Sequence, residues 1–129
     1  MVKLFTDPKK VSEKAFQKDL IKDIRAMGYL VFHDYDSRKQ GDGHGKGYPD
    51  LTIVGNGRAF FIELKRYRAG PTKEQVRWIY NLQRAGQVAF ISEPSDYDTI
   101  ISLLKGHPES EFLKSKWIDQ IVISDDLPF

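Results

Sequence analysis

The chain has 129 residues and no cysteine, which excludes a disulfide framework and a thiolate metal site. Forty per cent of it is apolar, with 8 Phe and 2 Trp, enough for a single domain with a real core. It contains neither an N-terminal apolar segment nor an apolar run of about 18 residues, so neither a signal peptide nor a membrane span is expected, and the cysteine-free composition fits a reducing cytoplasm.

Net charge is only +2, but it is unevenly spread. Residues 38–84 carry ten Lys/Arg against four Asp/Glu, a local +6 that leaves −4 for the rest of the chain. Such a concentration suits either phosphate binding or an ordinary solvated surface.

Residues 1–11 form a polar lead-in, with Pro8 opposing an early helix. The spacing of Phe16, Leu20, Ile24 and Met27 predicts a helix over 12–27, with Ser12 as N-cap and Gly28 just past its end. Glu13 falls on the same face as this apolar stripe. An acid there either stabilises the first turn through the helix dipole or faces a site. Residues 29–33 read as the first strand. A long polar loop over 34–48 follows, in which Gly41, Gly43, Gly45 and Gly47 alternate with Asp42, His44 and Lys46. Long loops of this kind are often functional, and Arg38, Lys39 and Lys46 are candidates to touch a phosphate backbone. Gly45-Lys46 is followed by glycine rather than Ser or Thr, so this is no P-loop. His33, Asp34, Asp36 and His44 match no zinc spacing.

The next stretch organises the chain. Asn56-Gly57 between two apolar runs signals a hairpin, because a type I′ turn needs φ > 0 at both central residues. A two-residue turn there fixes the register, with Val54 opposite Ala59, Leu51 opposite Ile62 and Asp50 opposite Glu63. Leu51, Ile53, Phe60, Ile62 and Leu64 then share one face, and Asp50, Thr52, Phe61, Glu63 and Lys65 the other. Two carboxylates facing each other about 5 Å apart repel unless something neutralises them. A hard divalent cation does so, and Lys65 adds a positive charge on the same face. Carboxylate pair, cation and lysine are the parts needed to hydrolyse a phosphodiester.

Arg66-Tyr67-Arg68-Ala69-Gly70-Pro71 is a basic turn, in which Arg66 and Arg68 either hold phosphates or are simply solvated. A helix follows over 72–85, ended by Gly86. Thr72-Lys73-Glu74-Gln75 is a capping box that accounts for Gln75 structurally. Gln75 also shares a helical face with Trp78, Ile79 and Leu82 and so looks coreward. Residues 87–92 read as a buried parallel strand, and Ser95 or Asp96 caps a last core helix ending near 105. Beyond it, 111–116 reads as helical, and the apolar groups at 117–118 and 121–123 suit an added strand or a dimer contact.

Gly47-x-Pro49-Asp50 followed by Glu63-Leu64-Lys65 resembles the PD-(D/E)XK nuclease signature. With Glu13 in the first helix and Thr72-x-x-Gln75, the pattern is similar to the VRR-NUC branch, which includes small stand-alone phage and bacterial proteins. The likeness spans roughly 12–104. It implies a restriction-endonuclease-like α/β (α+β) fold, a mixed four-stranded sheet flanked by helices in the order α-β-β-β-α-β-α. The domain would cover 1–105, with 106–129 as a C-terminal extension.

The resemblance further implies a divalent-metal-dependent DNA endonuclease. Asp50 and Glu63 would hold Mg²⁺ or Mn²⁺, joined by the Leu64 carbonyl and by Glu13 as an outer or third carboxylate. Lys65 would activate water and stabilise the transition state, Gln75 would orient water or phosphate, and Arg38, Lys39, Lys46, Arg66, Arg68 and Lys73 would contact DNA. Similar small proteins act on branched DNA, notably four-way (Holliday) junctions, which would require a homodimer. A phage-encoded member would work in the bacterial host cytoplasm. The alternatives are a non-catalytic DNA-binding module on the same fold and a sequence-specific restriction or homing endonuclease. Separately, the final Ser124-Asp125-Asp126-Leu127-Pro128-Phe129 resembles the acidic tip of bacterial single-stranded-DNA-binding proteins, and is either a solvated end or a dock for replication and repair partners.

Overall fold

The structure, a computed structural model, describes residues 7–33 and 45–106. Expectations for Arg38, Lys39, Asp34, Asp36 and His44, and those for 107–129, lie outside these residues. The described chain runs α1 (Glu13–Ala26), β1 (Leu30–His33), β2 (Leu51–Gly55), β3 (Arg58–Leu64), α2 (Lys73–Arg84), β4 (Val88–Ser92) and α3 (Tyr97–Leu104). Short 3-10 turns at Pro8–Lys10 and Pro94–Asp96 precede α1 and α3. This is the α-β-β-β-α-β-α order that the sequence predicts.

The strands form one mixed sheet in the order β1-β2-β3-β4. The first three are antiparallel, and β4 runs parallel to β3. A parallel pair needs a crossover, and α2 supplies it. The β2–β3 turn has both central residues at positive φ, Asn56 at 51° and Gly57 at 72°. The resulting register pairs Leu51 with Ile62 and Val54 with Ala59, as expected from the turn length.

Alternation along the strands divides the apolar residues between two layers. Leu51, Ile53, Phe60, Ile62 and Leu64 face α1 and α3, where they bury against Phe16, Leu20, Ile24, Tyr97 and Ile100. On the opposite face, Val76 and Ile79 of α2 pack on Ala89 and Ile91 of β4, flanked by Phe61. The second layer is narrower than the first. Leu30, Phe32 and Val54, at the β1 edge, remain exposed. Among the described residues no helix is long and apolar enough to cross a membrane.

Helix ends follow local chemistry. Ser12 Oγ accepts the Ala15 N–H at 3.0 Å and caps α1. Beyond α2, Gly86 donates to Gln83 and Gln87 to Leu82, the paired bonds that close a helix on a left-handed glycine. Gln87 is thereby consumed by the helix end, so β4 begins at Val88 rather than one residue earlier. Tyr29 likewise precedes β1. Its hydroxyl donates to the Leu104 carbonyl at 2.6 Å and accepts from Asn56 Nδ2 at 3.1 Å, joining the hairpin turn to the end of α3. Asp96 stands at the N-cap of α3, but its carboxylate accepts the Glu93 N–H at 2.8 Å and serves the preceding 3-10 turn instead.

Candidate active site

The hairpin ends where the chemistry is expected. The ladder stops at Leu51 opposite Ile62, so Asp50 lies just outside it. One Asp50 oxygen takes over the ladder's role and accepts the Leu64 N–H at 2.8 Å. Glu63 is 2% exposed. Its Oε2 lies 3.5 Å from Lys65 Nζ, and its Oε1 is buried without a hydrogen-bond partner. The Lys65 side chain is itself only 12% exposed.

Burial dominates the electrostatics. It pushes the Glu63 carboxyl up to about 9, and the nearby charges of Asp50 and Glu13 push the same way against the pull of Lys65. Asp50 is also raised, chiefly by burial, with the Leu64 hydrogen bond opposing it. Glu13 is raised by burial and by the Asp50 charge, while Lys65 and Arg66 pull it down. Glu13 belongs to α1 and thus to the other layer, yet it shares the field of the hairpin mouth. Among the described residues no three His, Cys, Asp or Glu side chains gather closely enough to hold a metal ion by themselves. The compact pair is Asp50 and Glu63, and Glu13 acts on it through charge. His33 is bonded to Gln17 at 3.3 Å.

The segment leading into Asp50 is anchored by contacts that sequence reasoning missed. Gly47 has φ 85°, and a Cβ there would come within 2.5 Å of the Glu74 backbone in the first turn of α2. Trp78 Nε1 donates to the Lys46 carbonyl at 3.1 Å. The Tyr48 ring meets Trp78 edge-on, with centroids 5.0 Å apart, and its hydroxyl lies 2.9 Å from Thr52 Oγ1. Lys46 Nζ pairs with Glu74 at 3.4 Å. The available signal was Gly47 itself, whose place in the motif has its physical reason in this close approach.

The expected basic residues fall on two sides. Lys46 and Lys73 lie at the N-terminal end of α2, both exposed. Arg66 and Arg68 lie in the turn leaving β3, also exposed. Gln75 is only partly buried, and the α2 residues facing the core are Val76 and Ile79. The coreward reading of Gln75 is therefore corrected. Its Oε1 accepts the Thr72 N–H at 2.9 Å, and its own N–H bonds Thr72 Oγ1 at 3.2 Å, the complete capping box.

The mixed four-stranded sheet with its flanking helices defines an α+β domain, and the chain has the fold of a VRR_NUC domain. A solved structure so described superposes with a TM-score of 0.58 at 24% identity, over 71% of this chain and 96% of that one. No protein-family model matches the sequence, and no curated protein matches it.

Proposed function

We propose that the protein is a divalent-metal-dependent nuclease that hydrolyses DNA phosphodiester bonds. The observation that carries this reading is Glu63, a buried carboxylate with one oxygen unpartnered, beside Asp50 and Lys65. A stable core rarely keeps a buried acceptor orphaned. An oxygen donor set of this kind suits Mg²⁺ or Mn²⁺. Asp50 and Glu63 would hold the ion, with the Leu64 carbonyl as a further donor and Glu13 as an outer carboxylate reaching it through water. When bound, the ion supplies Lewis acidity toward the phosphate and lowers the pKa of a coordinated water.

The chain's own residues do the rest. The Leu64 N–H fixes one Asp50 oxygen and so sets the direction of the other. Lys65, held in a largely buried position beside Glu63, places a cation where charge develops on a phosphate. Arg66 extends positive potential toward Glu13. The anchored 45–49 segment keeps Asp50 from drifting, which matters because small misplacements of reacting groups are costly. On the same reading, the substrate is branched DNA and the working form a homodimer with two sites.

The test offers end-labelled four-way junction, flap, linear duplex and single-stranded DNA to purified protein with Mg²⁺ or Mn²⁺, with Glu63→Ala alongside. Metal-dependent cutting that disappears in the variant supports the nuclease, and paired symmetric cuts on the junction support the homodimer. Tight DNA binding without cutting under either metal replaces this reading with a non-catalytic DNA-binding module.

A further inference from the structure

Lys9, Tyr67 and Arg68 form a cluster that the hairpin chemistry does not use. Lys9 Nζ lies 5.4 Å from the Tyr67 ring centroid, and Arg68 Cζ lies 5.2 Å from it. The residues come from distant parts of the chain, Lys9 from the 3-10 turn before α1, and Tyr67 and Arg68 from the turn leaving β3. Both supports are pinned. Asp7 accepts the Lys9 N–H at 3.0 Å. Arg68 sits at φ 58°, a left-handed conformation that non-glycine residues rarely adopt. Glu93 Oε1 holds it there by accepting its N–H at 2.7 Å, and Ala69 donates to Arg66 at 3.0 Å to close the turn.

A solvated charge needs none of this. Here a left-handed backbone and the Glu93 carboxylate fix the main chain at Arg68, and one ring lies beside both cations. Their location is equally specific. Lys65 lies two residues before Tyr67, and Glu13 four residues after Lys9, so each supporting segment is joined by a short stretch of chain to a residue of the hairpin mouth.

Resting on the nuclease reading, we propose that Lys9 and Arg68, held over Tyr67, form a phosphate clamp that grips the nucleic-acid backbone beside the scissile bond. Its ligand is the phosphodiester chain rather than the bases, because the ring is occupied by cations and both donors, an ammonium and a guanidinium, suit anionic phosphate oxygens. The clamp therefore adds affinity independently of sequence. The molecule also contains an internal comparison. Arg84 lies over Tyr80 at 5.9 Å, the same kind of pair, but at the far end of α2 from the hairpin mouth.

The experiment measures binding of a fluorescein-labelled duplex by anisotropy across a series of KCl concentrations, using the full chain with Asp50→Asn so that nothing is cut. Lys9→Gln with Arg68→Gly is the principal variant. Glycine accepts the backbone at 68, so folding is preserved. Loss of two phosphate contacts should flatten the slope of log K against log salt by about 2 and weaken binding at least about tenfold. Tyr67→Leu keeps both charges and should weaken binding several-fold with little change in slope, and Tyr67→Phe should restore it. Arg84→Ala should match the parent. An unchanged slope in the Lys9/Arg68 variant, or an equal loss in Arg84→Ala, overturns the clamp while leaving the nuclease reading intact. Absence of DNA binding by the parent and the wild type overturns both.

Discussion

Asp50 accepts the Leu64 N–H at 2.8 Å, one position beyond the last rung of the β2–β3 ladder. The residue therefore closes the sheet and faces the site at once, and two substitutions separate those roles. Asp50→Asn retains an acceptor for Leu64 and should leave stability within about 0.5 kcal/mol of wild type, while Asp50→Ala should cost about 1–2 kcal/mol. Both should lower cleavage by about 10²-fold or more. Urea unfolding beside the cleavage assay measures the pair. Wild-type cleavage by Asp50→Asn would remove Asp50 from the ligand set.

Glu63 predicts a pH dependence of metal-free stability. Its carboxyl is raised from 4.5 to about 9 by burial and by Asp50. The folded protein thus holds this proton more tightly than the unfolded chain. The stability from protonated Glu63 is complete below about 4.5 and is lost as pH rises through about 9. Glu63→Gln should match wild type at the acid end and exceed it at the alkaline end by on the order of 2 kcal/mol. Urea melts with a chelator, run at both ends, provide the check. Added Mg²⁺ should then stabilise wild type and not the variant.

Gly47 is constrained both by its φ of 85° and by the 2.5 Å approach to the Glu74 backbone. Gly47→Ala should therefore destabilise by about 1–3 kcal/mol. Because Asp50 follows three residues later, cleavage should fall further than the loss of folded protein explains. Comparing cleavage per folded molecule with thermal melts tests this, and a variant with unperturbed melting would show that the close approach is not obligatory.

Gln75 offers a separation of cap from catalysis. Gln75→Ala should cost about 1 kcal/mol through loss of the reciprocal Thr72 bonds. Gln75→Glu keeps the capping box and should stay within about 0.5 kcal/mol of wild type with cleavage within about threefold. A tenfold fall in cleavage by Gln75→Glu at unchanged stability would assign the side chain a direct part in the reaction.

The hairpin, its register and the helix caps were legible because each rests on local chemistry. Asn56-Gly57 dictates its own backbone, and alternation then assigns the faces of Leu51, Ile62 and Glu63 without knowledge of the rest. Ser12 and Thr72 cap within three residues of themselves. What escaped notice depends on approach between distant segments. The reason for Gly47 lies in α2, and Lys9 meets Tyr67 only once the chain has folded. Asp96 misled because two short helical segments abut, and its carboxylate serves the first of them. The exposure of Leu30 and Phe32 at the β1 edge was equally hidden, since both read as ordinary strand residues.

The two-residue turn at Asn56-Gly57 has a consequence for how this chain can change over generations. Inserting or deleting one residue there would shift every pair of the ladder. The slip would turn Leu51 and Ile53 toward solvent and drive Asp50 or Glu63 toward the core, since successive strand side chains alternate. A tight bend is thus as intolerant of length variation as the Asp50–Glu63 pair that it sets in phase, while admitting substitutions that respect its backbone. Related sequences should hold the spacing from Asp50 to Glu63 constant wherever this turn is kept, and vary it only where a different turn restores the same phase.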